Sequence, residues 1–185
     1  MNIIKRILVP VDLGDGSVAG LKYALFLAKW QGAEVVVVHV VDEREIPRSA
    51  SLSRDARLYL ETERVAAETL DDRLIENALE KGRWELSRFL SRHLESRLLH
   101  DVREVVCIGK VADEIVAAAA AEECDLIVMA SGGKNWMERL VHGSLTEKVV
   151  RMSACPVLTI QPFAKVRQDG ERVPVELLVL NESPA

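Results

Sequence analysis

Two kinds of apolar run alternate along this chain, and their alternation predicts its elements. Ile3 to Val11 opens with Ile7, Leu8 and Val9 in succession, closed by Pro10. An apolar run without polar alternation suits a strand buried on both faces of a parallel sheet. After Gly14, Asp15, Gly16 and Ser17, the residues Val18, Leu21, Leu25 and Ala28 recur at helical spacing, with Ser17 read as the N-cap and Gly32 as the stop. Glu34 to Val41 is a β-branched run and a second strand. Glu43 to Ser53 is polar and reads as a loop. From Arg54 to about Leu99 a charged helical pattern carries the stripe Val65, Leu70, Leu74, Leu79, Leu86, Leu90 and Leu94. Gly82 interrupts it, leaving two helices or one bent helix.

The alternation continues to the C-terminal region. Val102 to Ile108 is a third strand, Val111 to Glu123 an alanine-rich helix and Asp125 to Ala130 a fourth strand. A loop follows, then a helix over Ser144 to Met152 and a last strand over Val157 to Gln161. This order predicts an α/β fold with an open five-stranded parallel sheet, right-handed crossovers and helices on both faces. In such sheets ligands sit outside the carboxyl ends of the strands where the strand order reverses. That places the candidate site near Asp12 and Ala130 to Gly133. Residues 163–185 read as an extension contributing one added strand, within VPVELLVL, and a tail.

Composition narrows the class. The 185 residues suit one domain, and a net charge of -5 supplies no global attraction for nucleic acid. The first apolar run is too short for a signal peptide and is broken by Pro10 and Asp12. No stretch reaches the ~20 apolar residues that cross a bilayer. The reading is a cytoplasmic protein without membrane or nucleic-acid partners. Cys107, Cys124 and Cys155 flank or enter apolar runs without a CxxC pair, which reads as buried structural thiols and no metal site. His39 reads as a packed core residue, and His93 and His100 as surface residues.

The segment Ala130 to Glu147, ASGGKNWMERLVHGSLTE, carries the candidate chemistry. Glycines admit close approach of backbone N–H groups to an anion. A helix N-terminus adds unpaired N–H groups and partial positive charge. Ser144 and Glu147 have capping-box spacing, and Ser144 and Thr146 carry hydroxyls suited to phosphate oxygens. The same pattern also serves as an ordinary capped helix after a loop. It is neither a Walker A loop nor a G-x-G-x-x-G fingerprint. Lys134 and Arg139 are cations in or beside this loop, Trp136 is placed to cover either the site or a neighbouring subunit, and His142, next to Gly143, is a candidate ligand contact.

Over residues 3–162 the chain resembles the universal stress protein family. The resemblance rests on ILVPVD, on HVVDEREI, on DLIVMASGGK and on HGSLTEKVVRMSACPVLTI. It implies a Rossmann-like, adenine nucleotide alpha hydrolase-like fold over 1–162, with 163–185 as the extension. ATP-binding members of the family carry G-x2-G-x9-G-[ST]. Gly133, Gly143 and Ser144 match the last part, and Ala130 stands at the first glycine position. The resemblance implies that Asp12, following Pro10 and Val11, lies near ribose or adenine, that Val40 packs on adenine, and that Met129 and Ala130 flank the nucleoside; taken alone, Asp12 reads equally as a strand-end cap and Val40 as simple core. Gly133, Lys134, Gly143, Ser144, Leu145 and Thr146 would surround the phosphates, with Mg2+ accompanying ATP. It also implies a homodimer through the last strand. The function so implied is a nucleotide-binding stress-response regulator, with at most slow ATP hydrolysis and no catalytic residue assigned. The alternative is a dimeric interaction protein of the same family that binds no nucleotide, which Ala130 favours.

Overall fold

In the computed structural model, strands and helices alternate as the apolar runs predict; the structure describes residues 4–46, 64–99, 101–130, 145–160, 163–166 and 172–174. The elements are β1 (Arg6–Pro10), α1 (Asp15–Gln31), β2 (Glu34–Asp42), a 3-10 turn (Glu43–Glu45), α2 (Arg64–His93) and α3 (Ser96–Leu99). They continue as β3 (Val102–Gly109), α4 (Val111–Ala121), β4 (Leu126–Ala130), α5 (Leu145–Met152) and β5 (Val157–Ile160). Two short strands follow, β6 (Phe163–Val166) and β7 (Arg172–Pro174).

β1 to β5 form one parallel sheet in the order β3-β2-β1-β4-β5. Successive side chains in a strand point to opposite faces. Here both faces are buried, which is why these strands read as unbroken apolar runs. Ile7, Val9, Val35, Val37, Leu126 and Val128 join Leu21, Ala24, Leu86 and Leu90 in the layer under α1 and α2. Leu8, Val36, Val38, Ile127 and Met129 join Ile115, Ala118 and Val149 under α4 and α5.

Several expectations need correction. Of the two alternatives at Gly82 the structure takes the single helix: α2 runs 30 residues through it. A Cβ there would stand 2.9 Å from Val106 Cγ1 and 3.0 Å from Val41 Cγ2, so the glycine lets α2 lie close on the sheet. The helical segment divides instead between His93 and Ser96. The N-cap of α1 is Gly14, not Ser17, which lies in the first turn. Gly32 does end α1, in the left-handed conformation at φ 64°. The polar stretch after β2 begins with a 3-10 turn rather than a loop. The β6 and β7 strands pair antiparallel with each other in a separate two-stranded sheet, so the extension forms a pair of strands where one was expected. His93 is half-buried against Phe89, with ring centroids 4.8 Å apart, rather than a surface residue.

The two edges of the main sheet differ. β3 carries the exposed charges Arg103 and Glu104, a common guard against edge pairing. β5, reading VLTI, carries none.

Candidate functional site

The crevice at the sheet centre follows from strand pairing. β1 keeps five register pairs with β2, but only two with β4, Ile7↔Leu126 and Leu8↔Ile127. The seam between β1 and β4 is fastened at its N-terminal end. There Asp125 Oδ2 accepts from the backbone N–H groups of Lys5 (2.7 Å) and Arg6 (3.0 Å), and Asp125 N–H donates to Arg6 O (2.9 Å). These two N–H bonds hold the Asp125 carboxyl below its ordinary pKa. Beyond Leu8 and Ile127 the ladder stops. The chain leaving β1 turns into α1 over one face, and α5 packs on the other. The order reversal, and with it the crevice, therefore lies between the carboxyl ends of β1 and β4.

Asp12 stands at that end, in the turn after β1. Its Oδ1 accepts from Gly14 N–H at 3.0 Å, an Asx-turn, and from the Ser17 hydroxyl. Ser17 Oγ in turn accepts from Asp12 N–H at 3.0 Å. Ser17 is only 2% exposed, and these two hydrogen bonds, one donated and one accepted, satisfy its hydroxyl. Among the described residues Oδ2 of Asp12 has no partner. Leu13 sits at φ 62°, a left-handed position that costs a non-glycine residue roughly 1 kcal/mol. Its side chain packs on the core layer under α1 and α2, which holds the conformation. His39 anchors the same turn: its Nδ1 lies 3.1 Å from Val11 O, while Val11 N–H donates to Val38 O at 2.9 Å.

Val40, two residues past the register partner of Pro10, is half-buried beside the α4 layer. Met129 is wholly buried, and its side chain belongs to the core under α4 and α5. Ala130 is buried at the last position of β4. A Cβ on Gly20 of α1 would lie 3.1 Å from Ala130 N and 3.6 Å from Ala130 Cβ. The methyl group thus meets the helix that Gly20 allows to approach. Leu145 and Thr146 open α5 and are half-buried, and Glu147 in its first turn accepts from Arg151 Nε at 3.1 Å.

The fold brings Pro10, Val11, Asp12, Val40, Met129 and Ala130 to one end of the central strands. Gly132, Gly133, Lys134, Trp136, Arg139, His142, Gly143 and Ser144 lie outside the described residues, as do His100 and Gln161. Three residues of this region were not found from the sequence. Gly20 had a usable signal, a glycine inside a helical pattern. Asp42 is 5% exposed and caps the 3-10 turn by accepting from Arg44 N–H at 3.0 Å and Arg44 Nε at 2.9 Å; the D-x-R spacing after β2 was its only mark. The left-handed Leu13 had none. Among the described residues no group of His, Cys, Asp and Glu could hold a metal, and no helix is long and apolar enough to cross a membrane.

A parallel sheet of this order, with a crevice where β1 and β4 part, defines an α/β protein of Rossmann-like architecture. The family model of the "Universal stress protein family" matches residues 4–161, and the chain belongs to that family. It is 29% identical over 157 residues to Universal stress protein MJ0577 of Methanocaldococcus jannaschii, covering 85% of this chain and 94% of that one. Universal stress protein MJ0531 of the same organism is 30% identical over 160 residues, covering 86% of this chain and 84% of its own length. A solved structure of MJ0577 superposes with a TM-score of 0.55 at 28% identity, over 86% of this chain and 96% of that chain. A universal stress protein solved in complex with cAMP shares the fold at 18% identity, with a TM-score of 0.51 and coverage of 85% and 97%.

Proposed function

We propose that this chain is a cytoplasmic, ATP-binding stress-response regulator that holds the nucleotide at the crevice between β1 and β4. The observation that carries the reading is the early end of the β1–β4 ladder, with Asp12 fixed beside it by Gly14 and Ser17. Asp12 Oδ2 is the acceptor for a ribose hydroxyl or adenine amine. The half-buried Val40 offers an apolar surface for the base, and Pro10 and Val11 shape the strand end. Met129 and Ala130 border the nucleoside through their main chain. Gly133, Lys134, Gly143, Ser144, Leu145 and Thr146 receive the phosphates, with α5 contributing its N-terminal N–H groups. Mg2+ accompanies ATP on the phosphate side. The role is regulatory, with hydrolysis at most slow; Asp12 is the best-placed acidic residue at the strand ends. The 163–185 extension lies outside the nucleotide-binding unit of residues 1–162.

The β5 edge supports a homodimer, because its VLTI run lacks the charges that guard β3. Light scattering should return twice the chain mass at micromolar concentration, falling toward the monomer for Thr159→Lys, which puts a charge on the exposed position of β5. A concentration-independent monomer in the parent protein contradicts the dimer. The second reading, a dimeric interaction protein without nucleotide, is favoured by Ala130 at a position where ATP-binding relatives carry glycine. Mass spectrometry of the supernatant from denatured, freshly purified protein separates the two. Carried-over ATP or ADP supports the first; dimer without bound nucleotide, and without uptake after incubation in millimolar ATP and Mg2+, supports the second.

A further inference from the structure

We propose that Cys124 and Cys155 are a redox-modification site that closes to a disulfide when the protein meets a hydroperoxide. Both thiols are free, and both lie in the side-chain cluster between the sheet and the α4 and α5 layer. Ile127 pairs with Val157, and Ile127 N–H donates to Pro156 O at 3.0 Å. Continuing that register toward the N-terminal ends sets Asp125 opposite Cys155, so Cys124 and Cys155 are offset by one residue on adjacent chain segments. Both side chains nonetheless enter the same cluster on the α4 and α5 face, and Cys155 is close enough to act electrostatically on the Cys124 thiol. Disulfides span about 4.4–6.8 Å between Cα atoms. The two segments are turns, not ladder interior, which leaves room to adjust. Glu123, at φ 50°, is the left-handed residue after α4 that sends Cys124 inward. Ser153 Oγ donates to Cys155 O at 2.8 Å and accepts from Cys155 N–H at 3.2 Å, shaping the second turn.

The two thiols have different roles. Burial raises the Cys124 thiol, and the neighbouring Cys155 raises it further, to about 11. Cys124 is therefore the resolving thiol. Cys155 is half-buried, and its sulfur lies 3.5 Å from Ser153 Oγ. It attacks first: its thiolate takes the terminal hydroperoxide oxygen, the O–O bond breaks, and the other oxygen leaves after protonation as the alcohol (as water when the oxidant is hydrogen peroxide), giving a sulfenic acid. The Cys124 sulfur then attacks the sulfenyl sulfur; S–S forms, S–O breaks, and the Cys124 proton departs with the oxygen as water. Two thiols lose two electrons and the hydroperoxide gains them. Cys107 on β3 is separated from β4 by two strands, roughly 14 Å across the sheet, and takes no part.

The test treats the full chain, dilute and without nucleotide, with a few equivalents of hydrogen peroxide. Remaining thiols are then alkylated and the protein is mapped by non-reducing peptide mass spectrometry. The expected product is an intramolecular Cys124–Cys155 linked peptide pair, two hydrogens lighter than its parts, with Cys107 alkylated and the link reversed by dithiothreitol. Cys124→Ser should carry Cys155 on to sulfinic acid, and Cys155→Ser should leave Cys124 an alkylatable thiol once unfolded. A parent protein with no linked pair, a link involving Cys107, or a link only between two copies would overturn the proposal.

Discussion

Ala130 meets the crevice and helix α1 at once, and the helix takes its methyl group: that group would stand 3.6 Å from a Cβ at Gly20. A side chain spent on packing costs little at a ligand site. Ala130→Gly should therefore change ATP affinity by less than about fivefold, the equivalent of about 1 kcal/mol. It should lower stability by roughly 1 kcal/mol through the lost methyl and the added backbone freedom. Titration calorimetry and thermal melts of the same variant check both halves. A tenfold or larger gain in affinity would mean that the methyl obstructs the ligand. Ser17 teaches a related lesson. From the sequence it reads as an N-cap, yet in the structure it serves Asp12, because Gly14 already begins the helix and the hydroxyl reaches back to the Asp12 N–H and carboxylate. Both readings need a hydroxyl near a helix start; only the backbone path distinguishes them.

Helix α2 shows at the scale of an element where local propensity yields to packing. Gly82 in a helix interior costs about 1 kcal/mol relative to alanine. Replacing it with alanine should thus stabilise the isolated helix. In the folded chain the new methyl would meet Val106 Cγ1 at 2.9 Å and Val41 Cγ2 at 3.0 Å, and overpacking of this kind typically costs about 1–3 kcal/mol. The packing term is the larger, so Gly82→Ala should lower the urea midpoint; an increase would show that α2 can move off the sheet freely. The strands were legible because burial on both faces leaves an unmistakable apolar run, and their parallel arrangement followed from alternation with helices. What was not legible has physical causes. The continuity of α2 depends on contacts with β2 and β3, distant in sequence. The left-handed Leu13 depends on a core it helps to fill. The pairing of β6 with β7 joins short segments whose own pattern is weak. Within the candidate site, the strand-end residues followed from topology, while the roles of Gly20 and Ser17 required the approach of α1 to β4.

At the scale of the whole molecule, the sheet is fastened at one end and parted at the other. The fastening is Asp125, whose carboxylate joins the starts of β1 and β4. Its folded pKa lies below the unfolded one, so its contribution is present above the ordinary carboxylate pKa of about 3.9 and is lost as pH falls through the lower folded value. Urea midpoints of the parent protein and Asp125→Asn should differ at neutral pH and converge in acid; a difference that stays constant down to the acid transition would contradict this. The parting is the crevice, and an occupied crevice should stabilise the fold, by about 2.7 kcal/mol at a ligand concentration a hundredfold above Kd. The most direct test is isothermal titration of ATP with Mg2+ into the nucleotide-free protein, alongside Gly143→Val with its fold verified by circular dichroism. A β-branched side chain there would block close approach of a phosphate to the backbone. The account predicts saturable one-site binding to the parent protein and none to the folded variant; no heat from the parent at millimolar ATP, or equal affinity in both proteins, would contradict it.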